Sequence, residues 1–121
     1  MSRKILVVED DKDLQKVICQ GLSAKKIECD VAENGAEALE VAIKFMPDLI
    51  ILDIMMPVMD GYECCEKLRE MKGFEETPII FLTARGDDWD VLTGYIKGCD
   101  AYLKKPFSLD ALADEISRIL N

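Results

Sequence analysis

The chain has 121 residues and half of them are apolar, which predicts one domain, residues 1–121, with a single continuous core. Acidic residues outnumber basic ones by 24 to 15, so the net charge of −9 repels nucleic acid, and we expect no direct nucleic acid binding. The longest apolar runs are far shorter than the ~20 residues of a membrane span and no export signal precedes them, so we expect no membrane contact and a cytoplasmic location.

Short apolar runs alternate along the chain with longer segments of helical periodicity, which predicts an α/β fold with a parallel sheet covered by helices. The predicted strands are Lys4–Val8, Glu28–Ala32, Leu49–Leu52, Pro78–Leu82 and Ala101–Leu103. Three of them are continuously hydrophobic, as expected for strands that are buried on both faces. Glu28–Ala32 alternates between polar and apolar residues, so we expect it at an edge of the sheet.

Two of the helical segments carry apolar residues on one face. The spacing i, i+3, i+4, i+8 predicts core-facing residues in the first helix, at Leu14, Val17, Ile18 and Leu22. A similar stripe in the last helix consists of Leu112, Ile116, Ile119 and Leu120. We interpret both stripes as core.

Capping residues mark where two middle helices begin. Asn34 precedes Glu37 by three positions, and Asp60 precedes Glu63 in the same way, so each polar residue is predicted to cap a helix. A fourth helix is predicted near Asp87–Ile96, and its threonine and glycine make it the least stable of the five.

The five cysteines are predicted to have no chemical role. Their number is odd, no CxxC spacing occurs, and the chain has no histidine that would complete a zinc site. We expect small apolar packing residues in a reducing cytosol, with one thiol of the adjacent pair Cys64 and Cys65 a candidate for exposure.

Polar residues follow four of the predicted strands. Because parallel strands end at the same edge of a sheet, these residues are expected to lie close together. They are Glu9, Asp10 and Asp11, then Asp53, then Thr83, and finally Lys104 and Lys105. Carboxylates from Glu9, Asp10 and Asp53 would repel one another unless a cation lay between them, and oxygen ligands favour Mg²⁺.

An acid at a strand end can also simply cap the next helix, and for Asp11 that alternative stays open. It fits Asp53 poorly, because this acid ends a buried strand and a helix does not follow at once. A phosphoryl group on Asp53 would need cationic and hydrogen-bonding partners, which Mg²⁺, Lys105 and Thr83 would supply.

Other chemistries at this edge lack the residues they need. The first turn, residues 9–13, has no glycine, which excludes the phosphate loops of dinucleotide- and nucleotide-binding folds. Without histidine there is no Ser-His-Asp or Cys-His site, and a haloacid dehalogenase-type phosphatase would need an acid at Met55.

Four motifs in order resemble the receiver domains of two-component response regulators, such as CheY-like receivers and those of winged-helix regulators. The motifs are Ile5–Asp11, Asp53–Gly61, Leu82–Arg85 and Tyr102–Phe107, and the likeness runs from Lys4 to Leu120. The resemblance implies a three-layer flavodoxin-like (βα)5 fold with a five-stranded parallel sheet in the order 2-1-3-4-5.

The resemblance also implies a phosphoacceptor switch. A sensor histidine kinase or phosphotransfer protein would donate a phosphoryl group to Asp53, and the chain would catalyse only this step and a slow dephosphorylation. Glu9, Asp10, Asp53 and the backbone carbonyl of Met55 would hold Mg²⁺, for which Mn²⁺ would substitute. Lys105 would neutralise the phosphoryl group and form a cis bond to Pro106.

In the family, a movement of Thr83 toward the phosphoryl group is coupled to an inward turn of Tyr102. The resemblance implies that this switch rearranges the face formed by the fourth helix, fifth strand and fifth helix. That face would control a downstream protein, an output domain or a homodimer, with transcription as one output. Ala101 departs from the acidic pattern of winged-helix regulators and weakens the case for their dimer, while Trp89 would cover either the switch face or the core.

Met55 and Arg85 occupy the positions that tune dephosphorylation in such domains. Both side chains are bulky and would hinder the attacking water, so we expect a phosphorylated lifetime of minutes or longer. Two other functions stay open at this point: an interaction scaffold that is never phosphorylated, and a Mg²⁺-dependent phosphohydrolase.

Overall fold

Five strands and four helices make up the part of the chain that the computed structural model describes, residues 3–84 and 98–121. The strands are Lys4–Val8 (β1), Glu28–Ala32 (β2), Leu49–Asp53 (β3), Ile79–Thr83 (β4) and Ala101–Lys104 (β5). The helices are Lys12–Ala24 (α1), Gly35–Phe45 (α2), Gly61–Glu70 (α3) and the C-terminal helix Leu109–Leu120. The predicted fourth helix near Asp87–Ile96, with Trp89, lies outside the described residues, as does Arg85.

All five strands are parallel and lie in the order β2-β1-β3-β4-β5, which confirms the predicted flavodoxin-like fold. The alternating strand β2 lies at an edge, as predicted, with Glu28 and Asp30 exposed. Strand β4 begins at Ile79, one residue later than predicted, since Pro78 has no N–H to donate to the ladder. Strands β3, β4 and β5 each extend one residue further than predicted, so Asp53, Thr83 and Lys104 are the last residues of their strands.

Helices cover both faces of the sheet, and each face has its own apolar core. Alternate strand residues point to opposite faces, so one core holds Leu6, Val8, Ile50, Leu52 and Phe81 together with residues of α2 and α3. The other core holds Ile5, Val7, Ile51, Ile80 and Leu82 together with residues of α1 and the C-terminal helix. Every residue of β3 and β4 is buried, which fixes the position of the residues at their ends.

The predicted core face of α1 is wrong at one position. Val17 is 48% exposed, whereas Gln15 is 7% exposed and lies among the buried residues. Gln15 is seven residues, about two turns, before the buried Leu22 and therefore points in nearly the same direction, while Val17 lies beyond the edge of the buried arc. In the C-terminal helix, Leu112 and Ile116 are buried as predicted.

The predicted helix caps are confirmed. Asn34 Oδ1 accepts a hydrogen bond from Glu37 N, and Asp60 Oδ1 accepts one from Glu63 N, both at 2.9 Å. Asp11 caps α1 by accepting from Asp13 N at 3.0 Å. The structure therefore shows Asp11 as the N-cap of α1, which is the alternative that its sequence position left open.

Cys64 and Cys65 are both fully buried, as expected for packing residues, so neither thiol of the pair is exposed. They are the two middle members of the buried stripe of α3, whose spacing i, i+3, i+4, i+7 brings adjacent residues to the core. Burial raises the pKa of Cys64 to about 12, which makes this thiol unreactive near neutral pH. Among the described residues, no helix combines the length and apolar character that crossing a bilayer requires.

Candidate metal and phosphoryl site

Three carboxylates meet where β1 and β3 end. Glu9 directly follows β1, Asp53 ends the neighbouring strand β3, and Val8 pairs with Leu52 in the register between them. One carboxylate oxygen from each of Glu9, Asp10 and Asp53 lies within 4.8 Å of the others. Glu9 and Asp53 are buried while Asp10 is exposed, so the cluster opens to solvent on one side.

Lys105 supplies an ammonium group to this cluster. Its Nζ lies 2.6 Å from Glu9 Oε1 and 3.1 Å from Asp53 Oδ2. The residue follows β5, and its backbone N donates to Thr83 O, which ties it to the end of β4. The peptide bond from Lys105 to Pro106 is cis, as the resemblance implied.

Among the described residues, the charges of the cluster are not balanced, since three carboxylates face one ammonium group. Burial raises the pKa of Glu9, the neighbouring Asp53 raises it further, and the bond from Lys105 opposes the increase. The pKa of Asp10 is raised as well, because the part of its carboxylate that lies against the cluster is partly desolvated and because Glu9 is a neighbouring acid. For Lys105, burial lowers the pKa, but the bonds to Glu9 and Asp53 outweigh it and the pKa is raised, so the ammonium stays charged. An added cation would relieve the repulsion among the acids.

The donor set fits Mg²⁺. Carboxylate oxygens are hard ligands, and two oxygens that each lie ~2.1 Å from one Mg²⁺ are at most ~4.2 Å apart. The carboxylate oxygens, which lie within 4.8 Å of one another, would therefore have to approach by no more than about 0.6 Å to bind one Mg²⁺. The exposed Asp10 leaves room for the water ligands that Mg²⁺ usually keeps.

The loop between β3 and α3 holds the Asp53 side chain from the other side. Met55 N donates to Asp53 Oδ1 at 3.1 Å, and Met55 itself is 54% exposed. The loop then returns to the strand end, where Gly61 N donates to Ile54 O at 2.9 Å. This return brings the first residue of α3 into contact with the backbone of Asp53.

Gly61 is required by this close approach. A Cβ at this position would lie 2.5 Å from Asp53 O and 2.8 Å from Ile54 Cα, and backbone atoms cannot rotate away. We expect Gly61→Ala to lower the free energy of unfolding by about 1–3 kcal/mol and to slow any reaction of Asp53, because the strand end must shift. Denaturant titration measures the first effect and the rate of labelling by a small phosphodonor measures the second.

Gly21→Ala is the matched control, because Gly21 lies inside α1 and the nearest atoms to its added Cβ belong to the flexible Leu109 side chain, at 3.1 Å and beyond. Removing a glycine from a helix interior favours folding by about 0.5–1 kcal/mol, so this variant should be neutral or stabilised. Equal losses in both variants would contradict the role assigned to Gly61.

Glu9 is held by contacts that the sequence did not reveal. Glu9 N donates to Ala32 O at 3.0 Å, and Asp11 N donates to Glu9 Oε2 at 3.2 Å. Gln15 Nε2 donates to Glu9 O and, at 3.3 Å, to Ala32 O. Sequence reasoning missed Gln15, although its spacing of seven residues before Leu22 would have placed it on the buried face of α1.

The remaining predicted residues lie on β4 and β5. Thr83 is fully buried at the end of β4, one residue beyond Leu82, which is the register partner of Asp53. Tyr102 is partly buried on β5 and packs against the core that includes Phe81, its register partner. The structure thus brings Glu9, Asp10, Asp53 and Lys105 into one cluster and places Thr83 at the end of the strand beside it, while Arg85 lies outside the described residues.

Residues 5–117 match the response regulator receiver domain family. The probable transcriptional regulator ycf29 of Porphyra purpurea is 43% identical over 120 residues, and the transcriptional regulatory protein ResD of Bacillus subtilis is 43% identical over 105 residues. These alignments cover 99% and 87% of this chain but 57% and 42% of the two relatives. The chain thus spans about half the length of the curated relatives it matches.

Solved structures of similar proteins share the fold over nearly the whole chain. The chemotaxis protein CheY4 of Vibrio cholerae is 32% identical with a TM-score of 0.95, covering 99% of this chain and 100% of that one. The receiver domain of the Francisella response regulator 1452 is 34% identical with a TM-score of 0.91, covering 98% and 96%. The chain therefore belongs to the response regulator receiver domain family of two-component signalling.

Proposed function

We propose that this receiver domain takes a phosphoryl group onto Asp53 from the phosphohistidine of a sensor histidine kinase or phosphotransfer protein. The observation that carries the proposal is the buried Asp53 carboxylate, which lies 3.1 Å from Lys105 Nζ and within 4.8 Å of two further acids. An Asp53 oxygen forms a bond to phosphorus, the P–N bond of the donor breaks, and its electron pair leaves with the imidazole nitrogen. The chain is not a classical enzyme, since the group that reacts is its own side chain.

Glu9, Asp10 and Asp53, with the backbone carbonyl of Met55, would hold Mg²⁺ in this site, and Mn²⁺ would substitute for it. When bound, the ion offsets the negative charge that the phosphoryl oxygens bring to the acids. Burial of Glu9 and Asp53 restricts their side chains, so the acids are arranged before the donor arrives.

Lys105 and the loop after β3 orient the acceptor. Lys105 Nζ bonds Asp53 Oδ2 and Met55 N bonds Asp53 Oδ1, so both carboxylate oxygens have a fixed direction. The ammonium group also lies where it can bond an oxygen of the incoming phosphoryl group. The half-exposed Met55, together with Arg85, would limit the access of water and give the phosphorylated form a lifetime of minutes or longer.

Thr83 and Tyr102 would carry the conformational response. The Thr83 hydroxyl would donate to a phosphoryl oxygen, and Tyr102 would turn inward as Thr83 moves.

We expect Thr83→Ala to be labelled at a rate within about threefold of the wild-type rate while hydrogen exchange in β5 no longer changes on phosphorylation. Thr77→Ala is the control that should keep both properties, because Thr77 precedes β4 at the opposite end of the strands from the acids. Loss of labelling in Thr83→Ala would assign Thr83 to the chemistry instead.

Residues 1–121 would act as one receiver domain in the cytoplasm, because the donor kinase uses the ATP of that compartment. The phosphorylated form would control a downstream protein, an output domain or a homodimer through the surface around β5. The similarity to proteins named as transcriptional regulators supports a transcriptional output. The domain itself would not bind nucleic acid, because its net charge is −9.

The stoichiometry of reaction with acetyl phosphate tests this function. In the presence of Mg²⁺, intact-mass measurement should show one phosphoryl group per chain, and chelation of the metal should prevent the reaction. Turnover of many equivalents of acetyl phosphate would indicate a phosphohydrolase. No mass gain with Mg²⁺ would indicate an interaction scaffold, and either result would overturn the proposal.

A further inference from the structure

Gln15 is a buried polar residue on the inner face of α1, among residues that pack against the sheet. Its amide nitrogen donates to two backbone carbonyls, those of Glu9 and Ala32. The two carbonyls belong to different chain segments that meet where β1 and β2 end. The Gln15 side chain therefore connects α1 to both segments at the carboxyl ends of the strands, where the acids lie.

The hydrogen bonds from Gln15 lie just beyond the last backbone hydrogen bond between the β1 and β2 segments. Glu9 N donates to Ala32 O at 3.0 Å, and after this pair the chain turns away into α1. A buried carbonyl without a partner is costly, so the Glu9 carbonyl needs a donor from outside the ladder. Gln15 provides that donor, which explains why a polar side chain lies on an otherwise apolar face.

The turn that carries the acids is consequently fixed at both ends. Asp11 Oδ1 accepts from Asp13 N and Leu14 N, which anchors the later end of the turn to the start of α1. Gln15 anchors the earlier end at Glu9. Asp10 lies between the two anchors, so the directions of the Glu9 and Asp10 carboxylates both depend on them.

We propose that Gln15 is a positioning residue for the metal site, because its amide holds the Glu9 backbone and thereby sets the directions of the Glu9 and Asp10 carboxylates. This inference rests on the proposed function, since it assumes that these acids bind Mg²⁺. Groups that orient metal ligands from outside the ligand set typically change metal affinity by about 10- to 100-fold when they are removed.

Gln15→Met tests the inference, because methionine is similar in length but has no N–H to donate. The dissociation constant of Mg²⁺, measured on the folded protein by titration, should rise about tenfold relative to wild type. Leu22→Ala is the matched control: it removes a buried side chain from the same face of α1 without touching Glu9. The control should lower the free energy of unfolding and leave the dissociation constant within about twofold.

Three results would overturn the role of Gln15. One is an unchanged Mg²⁺ dissociation constant in a destabilised Gln15→Met protein, which would make Gln15 a structural residue only. Another is an equal loss of affinity in Leu22→Ala, which would attribute the effect to the helix as a whole. The inference predicts that, without metal, the Glu9 and Asp11 amides exchange faster in Gln15→Met than in the wild type. The third contradicting result is an equal rate of exchange in the two proteins.

Hydrogen exchange also separates this inference from the proposed function. If wild-type protein failed to bind millimolar Mg²⁺, the proposed function would fail. Metal-free exchange would still report whether Gln15 holds the turn that carries Glu9 and Asp10.

Discussion

Replacing Asp53 with asparagine should reduce labelling by acetyl phosphate to an undetectable level, because an amide oxygen is a far weaker nucleophile than a carboxylate. Asparagine has nearly the same shape and keeps an oxygen for the bond from Met55 N. The fold should therefore survive, as near-wild-type cooperative unfolding would show. The loss of labelling would then result from the missing carboxylate and not from unfolding of the variant.

The same variant should respond less to Mg²⁺. A ligand that binds only the folded state raises the free energy of unfolding by RT ln(1 + [L]/Kd), so a weaker site gives a smaller increase at the same concentration, and Asp53→Asn removes one of the three acids. Millimolar Mg²⁺ should consequently stabilise the wild type more than the variant.

Asp11→Asn is the matched control for both measurements. It makes the same substitution two residues from Glu9, and asparagine caps a helix as well as aspartate does. This control should be labelled like the wild type and keep its Mg²⁺ response. Labelling of Asp53→Asn at the wild-type level would place the phosphoryl group elsewhere.

Lys105→Met should cost about 2–3 kcal/mol of stability in metal-free solution. The change removes the ammonium group that bonds both Glu9 and Asp53, two carboxylates that are almost fully buried. Removing one partner of a buried ion pair leaves the other charge uncompensated, which destabilises the fold. The 24% exposure of the Lys105 side chain makes this loss of stability smaller than for a fully buried pair. Saturating Mg²⁺ should recover a large part of the loss, because a divalent cation replaces the missing charge.

The stability deficit of Lys105→Met should also shrink as the pH falls from neutral toward the ordinary pKa of a glutamate, about 4.3. The pKa of Glu9 is raised in the folded protein, mainly by burial, and Lys105 is one of the groups that lowers it. Without Lys105 the pKa of Glu9 rises further, and a group whose pKa is raised on folding stabilises the fold when it is protonated. Acidification therefore helps the variant more than the wild type.

Lys104→Met is the control for the lysine variant. Lys104 is the neighbouring lysine and is exposed, so its replacement should change stability by no more than about 0.5 kcal/mol at any of these pH values. A Lys105→Met protein as stable as this control in metal-free solution would contradict the electrostatic description of the site.

The sheet and the edge that carries the acids could be predicted because both depend on local patterns. Continuous apolar runs such as Leu49–Leu52 mark strands that are covered on both faces, and parallel strands place their final residues together. The cluster of Glu9, Asp10, Asp53 and Lys105 follows from that geometry alone. The caps at Asn34 and Asp60 were likewise encoded by residues three positions apart.

The spacing of Gln15 before Leu22 indicates only that it faces the sheet. The contacts that support the site could not be predicted, because they join distant residues. Gln15 is buried because its amide meets the Ala32 carbonyl from another strand. Gly61 is needed because α3 begins against the backbone of Asp53. Val17 continues an apolar pattern yet is exposed, since the arc of α1 that faces the sheet is set by packing and not by the pattern itself.

The most direct test of the central claim is to locate the phosphoryl group on the chain. Borohydride reduces an aspartyl phosphate to homoserine, so wild-type protein is treated with phosphoramidate, a donor with a P–N bond, and Mg²⁺, then reduced, digested and analysed by mass spectrometry. Homoserine at position 53, and at no other aspartate, is the predicted result. A modification at another acid, or an unmodified Asp53 in protein that has gained a phosphoryl group, would contradict the account.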